Sequence, residues 1–258
     1  MKGLATCLVI GLLATGTCAV EARAQETTGK TRQTEVAPKP LAGKGASARK
    51  KATSRYKRCT YTLRNWNTRK GSVQTAPRVD KPYREVTEDE RDPADPRCTL
   101  CEVDQVKINP ATLGLKGVKS FRICRHWAPA VKDALRKIAR TGDFKVVEII
   151  GYRPGRTRGP VVNGVRTVLS NHSFGTAIDI NPAYNGLYKK CTREEFALDG
   201  HGTCKLSIGG KWDPTQRPDR TITKKSSVYK AFKRIGWKWG GRIAGSTRDM
   251  MHFSITGY

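Results

Sequence analysis

Beyond its first two dozen residues the 258-residue chain has no apolar run approaching the roughly 20 residues of a membrane-spanning helix, which excludes an integral membrane protein. It has no internal repeat and no Gly-rich phosphate loop, which removes repeat arrays and P-loop nucleotide chemistry. Cys98-x-x-Cys101 has no second pair at finger spacing, so a disulfide role is expected there rather than half a zinc finger. Acids are scarce: 22 Asp and Glu face 49 Lys and Arg, for a formal charge of +27. Such a charge says nothing about fold but points to anionic partners, of which nucleic acid, anionic lipid and acidic wall polymer are the plausible classes. Aliphatic and aromatic residues are still too plentiful for a wholly disordered chain, so a packed core is expected.

Residues 1–24 read as a secretory signal. Lys2 gives the positive start, Leu4 to Leu13 the short apolar stretch, and Ala22-Arg23-Ala24 the small-x-small cleavage pattern. Thr15 stands where lipid attachment at Cys18 would want Leu. Removal of the signal leaves Cys59, Cys98, Cys101, Cys124, Cys191 and Cys204, an even set in a chain expected to be secreted or periplasmic. Cys191 and Cys204 bracket a short Gly-rich loop and are expected to pair, whereas the other four allow three pairings. Export also argues against nucleic acid as the partner.

Residues 25–70 carry 13 Lys and Arg with only Glu26 and Glu35 as acids, and 71–97 are Pro-rich, turning acidic at Glu85 to Asp95. The stretch 25–97 is therefore expected to be a disordered basic arm and linker, a solvated spacer or a tether to anionic envelope polymers. The folded domain is expected over 98–258. Val131, Ala134, Leu135 and Ile138 share one face of a helix predicted over His126 to Arg140. Strands are predicted over 144–150, 176–180 and 250–256, a second helix over Ser226 to Ile235, and a loop-rich excursion over 185–222. Without a repeating strand–helix alternation, this order argues α+β: a mostly antiparallel sheet with helices on one side.

The chemistry concentrates in Ser170-Asn-His172-Ser-Phe-Gly175-Thr-Ala177-Ile-Asp179-Ile-Asn181. Gly175 lets the chain turn so that the following strand can return Asp179 beside His172. His252, in Asp249-Met-Met-His252-Phe253, offers a third donor. Two imidazoles and a carboxylate suit Zn2+, and three protein ligands leave a fourth position for water. Asp249 is placed to act as general base, and Arg153, in Gly151-Tyr152-Arg153-Pro154, to stabilise an oxyanion or clamp a carboxylate. His126 beside Trp127 reads as a packing or capping residue, His201 as a loop residue, and Trp237 and Trp239 as core.

Tyr152-Arg153-Pro154, Ser170-x-His172-x-x-Gly175-x-Ala177-x-Asp179, Trp237-x-Trp239-Gly240-Gly241 and Asp249-x-x-His252-Phe253, in this order, resemble the D-alanyl-D-alanine carboxypeptidase family of zinc metallopeptidases. That family includes vancomycin-resistance carboxypeptidases and L-alanyl-D-glutamate endopeptidases, and the resemblance spans about residues 105–258. It implies zinc on His172, Asp179 and His252, Asp249 as catalytic base, Arg153 as carbonyl stabiliser, and Ser170 and Tyr152 as substrate contacts. The implied substrate is the peptide stem of peptidoglycan, cut at bonds beside D-amino acids. Asp249 stands where the best-known carboxypeptidases of the family carry Glu. Two other readings remain: a catalytically silent wall-binding module, and a cationic envelope or nucleic-acid-binding protein working through its basic arm.

Overall fold

The computed structural model describes residues 57–191 and 204–258. The expected signal, the arm up to residue 56 and His201 lie outside the described residues. No helix among the described residues is long and apolar enough to cross a membrane.

The first long helix, α1 (Ala128–Thr141), has Pro129 in its first turn, where a missing N–H costs nothing, and ends at Gly142 in a left-handed conformation. It buries Ala128, Val131, Ala134, Leu135 and Ile138, the face predicted from spacing. The second helix, α2 (Ser227–Arg234), is capped by the Ser226 hydroxyl, which accepts from the Tyr229 N–H, and buries Val228, Ala231 and Phe232. The two helices pack on each other.

They cover one face of a four-stranded sheet in the order Lys238–Trp239, His252–Ser254, Ala177–Ile180, Ile149–Ile150. Every strand pairing among the described residues is antiparallel, as expected for the α+β class. Ile178 lies opposite Phe253 in this sheet, and both are fully buried with Phe232 of α2 in the main core. Alternation then turns Asp179 and His252, themselves directly opposed, to the other face.

Only Ile149–Ile150 of the predicted strand 144–150 pairs in the sheet. The reason is Asn181. Its Oδ1 accepts from the Val147 and Glu148 N–H groups, and its Nδ2 donates to the Lys145 carbonyl. The backbone groups that would have formed a ladder are spent on a side chain. The excursion 185–222 contributes strands Leu187–Lys189 and Lys205–Ile208, which join Arg248–Asp249 in a three-stranded sheet. Cys191 pairs with Cys204 as expected.

Residues 57–97, expected to be linker, are folded. They form short strands at Arg58–Tyr61, Arg64–Asn67, Ser72–Thr75, Val79–Pro82, Arg91–Asp92 and Asp95–Thr99. Composition misled because this segment builds its core from cross-links and buried ion pairs. The disulfides Cys59–Cys101 and Cys98–Cys124 sit in a second apolar cluster with Tyr61, Val86, Leu100 and Phe174. Around it, buried Glu90 accepts from the Tyr61 hydroxyl at 2.6 Å and from Lys81 Nζ at 2.6 Å. Asp104 binds Lys57, Tyr83 and Thr99.

Burial alone would raise the Glu90 pKa, but Lys81, Tyr61 and Thr87 outweigh it and bring it down to about 2. A depressed carboxylate stabilises the fold above its unfolded pKa of roughly 4.3 and loses that contribution as pH falls towards the folded value. Glu90→Gln is expected to cost about 2 kcal/mol at pH 7. It should also flatten the acid limb of stability between roughly pH 4 and 2, measured by urea unfolding at several pH values. An unchanged acid limb would assign the loss to other carboxylates.

Candidate metal centre

The triad is assembled by register. Asp179 and His252 face each other across an antiparallel strand pair, which brings together residues 73 positions apart. His172 comes from the short turn Asn171–Phe174, which ends at Gly175 with φ +69°. Only glycine suits this corner: a Cβ there would lie 2.1 Å from Gln105 Oε1 and 2.5 Å from the Cys124 backbone nitrogen. Cys124 N–H donates to the Gly175 carbonyl, Gln105 Nε2 donates to the Phe174 carbonyl, and Thr176 Oγ1 donates to Asp92 Oδ2. The turn carrying His172 is thus seated on the disulfide-rich N-terminal part of the fold.

The three ligating atoms converge in a buried volume. His172 Nε2 is 3.0 Å from Asp179 Oδ1, His252 Nδ1 is 3.0 Å from the same oxygen, and the two nitrogens are 3.2 Å apart. His172 Nδ1 donates to the Gly151 carbonyl at 2.9 Å, which assigns its proton there and leaves Nε2 as a lone pair. Asp179 uses its second oxygen, Oδ2, to accept from Arg153 at 3.0 Å, leaving Oδ1 for the centre. Lone pairs this close are reconciled only by a shared proton or a cation. Ligands about 2.0–2.1 Å from a tetrahedral zinc stand roughly 3.3 Å apart, so the observed triangle has nearly that size. The residues fit a metal ion, and His172, Asp179 and His252 can hold one.

Electrostatics follow from burial and neighbours. Desolvation lowers the His172 pKa. Asp179 would be raised by burial, but the two imidazoles dominate and hold it well below the usual carboxylate range. His252 would be lowered by burial, yet Asp179 and Asp249 raise it.

Asp249, like buried Asp92, is an acid that desolvation pushes upward. Its Oδ1 is buried and has no hydrogen-bond partner, and desolvation followed by the charge of Asp179 pushes its pKa up to about 6. Gly240 makes room for it: a Cβ there would lie 3.0 Å from Asp249 Cβ and 3.1 Å from His252 Cβ.

Of the remaining expected site residues, Arg153 is half-exposed, with its guanidinium on Asp179. Ser170 Oγ is buried without a partner. The Tyr152 hydroxyl is engaged, donating to the Leu100 carbonyl at 2.5 Å, so it anchors the 151–155 loop to the N-terminal part. Trp237 and Trp239 are buried in the core. A cavity of about 980 Å3, bordered by Trp212, Trp239, Arg248 and Met250, flanks Asp249 along the chain without reaching the triad. Asp92, Gln105, Asn181 and Gly240 support the centre without having been expected to. Asn181 closes the His–Asp stretch and Gly240 follows Trp239, so two of the four stand inside motifs that sequence singles out.

A buried two-imidazole, one-carboxylate set beside a lone carboxylate is the donor array of metal-assisted hydrolases. Residues 163–255 match the family model described as D-alanyl-D-alanine carboxypeptidase, which bears out the resemblance for the motifs from Ser170 to Phe253, leaves Tyr152-Arg153-Pro154 outside the matched span, and supports a peptidase of this family. No curated protein and no solved structure matches the chain.

Gly175→Ala is expected to destabilise the fold by about 2–3 kcal/mol, combining the left-handed strain with the clash on Cys124 backbone. It should also weaken metal retention, read by thermal denaturation and elemental analysis of the purified variant. Wild-type melting and metal content would show that the turn tolerates a side chain.

Proposed function

We propose that this protein is an exported zinc peptidase that hydrolyses peptide stems of peptidoglycan at bonds beside D-amino acids. The observation that carries this reading is the triangle of His172 Nε2, Asp179 Oδ1 and His252 Nδ1, with the unpartnered Asp249 carboxylate close enough to feel its charge. His172, Asp179 and His252 would hold the zinc ion, which would supply the Lewis acidity that polarises a carbonyl and lowers the pKa of water. Asp249 takes the proton of the attacking water as the new C–O bond forms. It then delivers that proton to the amide nitrogen as the C–N bond breaks, giving a carboxylate and an amine. Burial, which raises the Asp249 pKa whether or not the centre is occupied, favours proton uptake by this carboxylate.

Arg153 is tied to Asp179 through one nitrogen and keeps further donors for the carbonyl oxygen as negative charge develops. Ser170 Oγ, buried and unpartnered, is a substrate contact. Tyr152 contributes its ring and the position of its loop, since its hydroxyl is already bound. The three disulfides agree with an oxidising destination outside the cytoplasm.

Chelation is expected to abolish stem-peptide cleavage and zinc to restore it. His172→Ala should lose bound metal, whereas Asp249→Asn should keep the metal and lose roughly 100- to 10,000-fold in kcat/KM. Mass spectrometry of muropeptides digested with and without chelator reads the cleavage and identifies the bond cut, terminal D-alanine or L-alanyl-D-glutamate, and elemental analysis of each purified variant reads its metal. Full turnover by metal-stripped protein would overturn the reading.

A further inference from the structure

The four-stranded sheet outside the metal centre has the order Arg156–Val162, Val165–Leu169, Arg64–Asn67, Ser72–Thr75, so two hairpins lie side by side. Their tips are joined: Thr68 donates through its N–H and its hydroxyl to the Gly164 carbonyl. Trp66 opposes Val73 and Val161 opposes Arg166, while Asn67 and Val165 oppose each other on the other side. Alternation therefore places Arg64, Trp66, Val73, Val161, Arg166 and Val168 on one face. Five of the nine large hydrophobic residues exposed among the described residues belong to this sheet: Trp66, Val73, Val161, Val162 and Val168. Apolar side chains gathered in the open this way mark an interaction surface.

The charge of the sheet is of one sign. Residues 61–79 and 149–178 contain no Asp or Glu. Two of its cations are spent within the fold: Arg166 Nη1 donates to the Gly159 carbonyl at 2.6 Å, and Arg158 donates to Asn171 Oδ1 and lies over the Tyr258 ring. Arg64, at the start of its strand, and Arg69 and Lys70, at the tip of its hairpin, are exposed. Their side chains make no hydrogen bond or ion pair among the described residues. An occupant must present anions to these three cations and an apolar layer to Trp66 and the valines at the same time. A second copy of the chain would bring like charges together, and a soluble polyanion would leave Val73, Val161 and Val168 in water. An anionic bilayer offers both, with phosphates at its surface and hydrocarbon just beneath.

We propose that this face docks the protein on an anionic lipid surface. The Trp66 indole, Val73, Val161 and Val168 sit at the boundary between headgroups and acyl chains, and Arg64, Arg69 and Lys70 meet lipid phosphates. Indole rings favour that boundary, and long basic side chains reach phosphates while their stems lie along apolar surface. Entry stops at this depth. Strands Arg156–Val162 and Ser72–Thr75 are the sheet's edges, and hydrocarbon would not satisfy their unpaired backbone groups. The 156–169 hairpin runs from the Arg153 loop to Ser170, so a docked sheet keeps the metal centre near the lipid. The inference stands on the sheet alone and does not rest on the peptidase reading.

The test uses the chain freed of residues 1–24, with vesicles of equal parts phosphatidylglycerol and acyl-brominated phosphatidylcholine, and vesicles of phosphatidylcholine alone. Cosedimentation is expected with the anionic vesicles only. Trp66→Ala should weaken it about tenfold. Arg64→Gln and Lys70→Gln should weaken it about fivefold each, with thermal unfolding unchanged because all three positions are exposed. Bromine should quench Trp66, and Trp66→Phe should lose that quenching, since the other four tryptophans are buried or half-buried. Residues 25–56 are present in every variant, so their charge cannot produce these differences. Affinity unchanged in the variants, or bound protein without Trp66 quenching, overturns the proposal. So does single-stranded DNA bound more tightly than the vesicles in a Trp66-dependent way, which would make the face a nucleic-acid surface.

Discussion

The structure is organised around one demand: the ligand atoms of His172, Asp179 and His252 held near 3 Å from one another, out of water. Without a shared proton or a cation between them such a cluster is repulsive, because lone pairs face lone pairs and desolvation strips their compensation. It persists because each donor is fixed from behind. The Gly151 carbonyl takes the His172 Nδ1 proton, Arg153 takes the second oxygen of Asp179, and the strand register sets His252 opposite Asp179. Each support comes from a different stretch of chain, so the centre is a property of the whole fold rather than of a local motif.

That dependence explains why the N-terminal part is folded rather than a tether. Phe174, the last residue of the His172 turn, is buried among the Cys59–Cys101 and Cys98–Cys124 bridges. The strand Phe121–Cys124 serves both sides of the centre: the Arg122 carbonyl accepts from Tyr152 N–H, and Cys124 N–H donates to the Gly175 carbonyl. Moving this strand would shift the Gly151 carbonyl and the His172 turn together. The disulfides hold it where a small apolar cluster alone would be marginal.

What the sequence could disclose divides along range of interaction. Elements with a local code were legible: the apolar stripe of α1, the Ser226 cap of α2, and the Cys191–Cys204 pair across a short loop. The convergence of His172, Asp179 and His252 was legible because these residue types are chemically rare in combination, and a seven-residue spacing through a glycine has few other uses. The strand at 144–148 failed because its partner is a side chain, Asn181, 33 to 36 residues away, and periodicity carries no trace of such a bond. Residues 57–97 failed for a related reason. Their basic, Pro-rich composition reads as linker unless one knows that Glu90, Asp95 and Asp104 are buried against partners from elsewhere in the segment.

The distribution of acids gives Asp249 its meaning. In a chain of charge +27 most carboxylates have a cation close by, and those of Glu90, Asp95, Glu102, Asp104 and Asp213 are all lowered. Asp249 runs against this field, as does buried Asp92. Arg153 and His252 pull the Asp249 pKa down, but desolvation and the anionic Asp179 outweigh them. Replacing the burial with solvent, or giving Oδ1 a hydrogen-bond donor, would lower this carboxylate towards the ordinary range. The unpartnered buried oxygen carries a cost in stability, and Gly240, which lets the strand carrying Asp249 approach so closely, is part of how the fold sustains it.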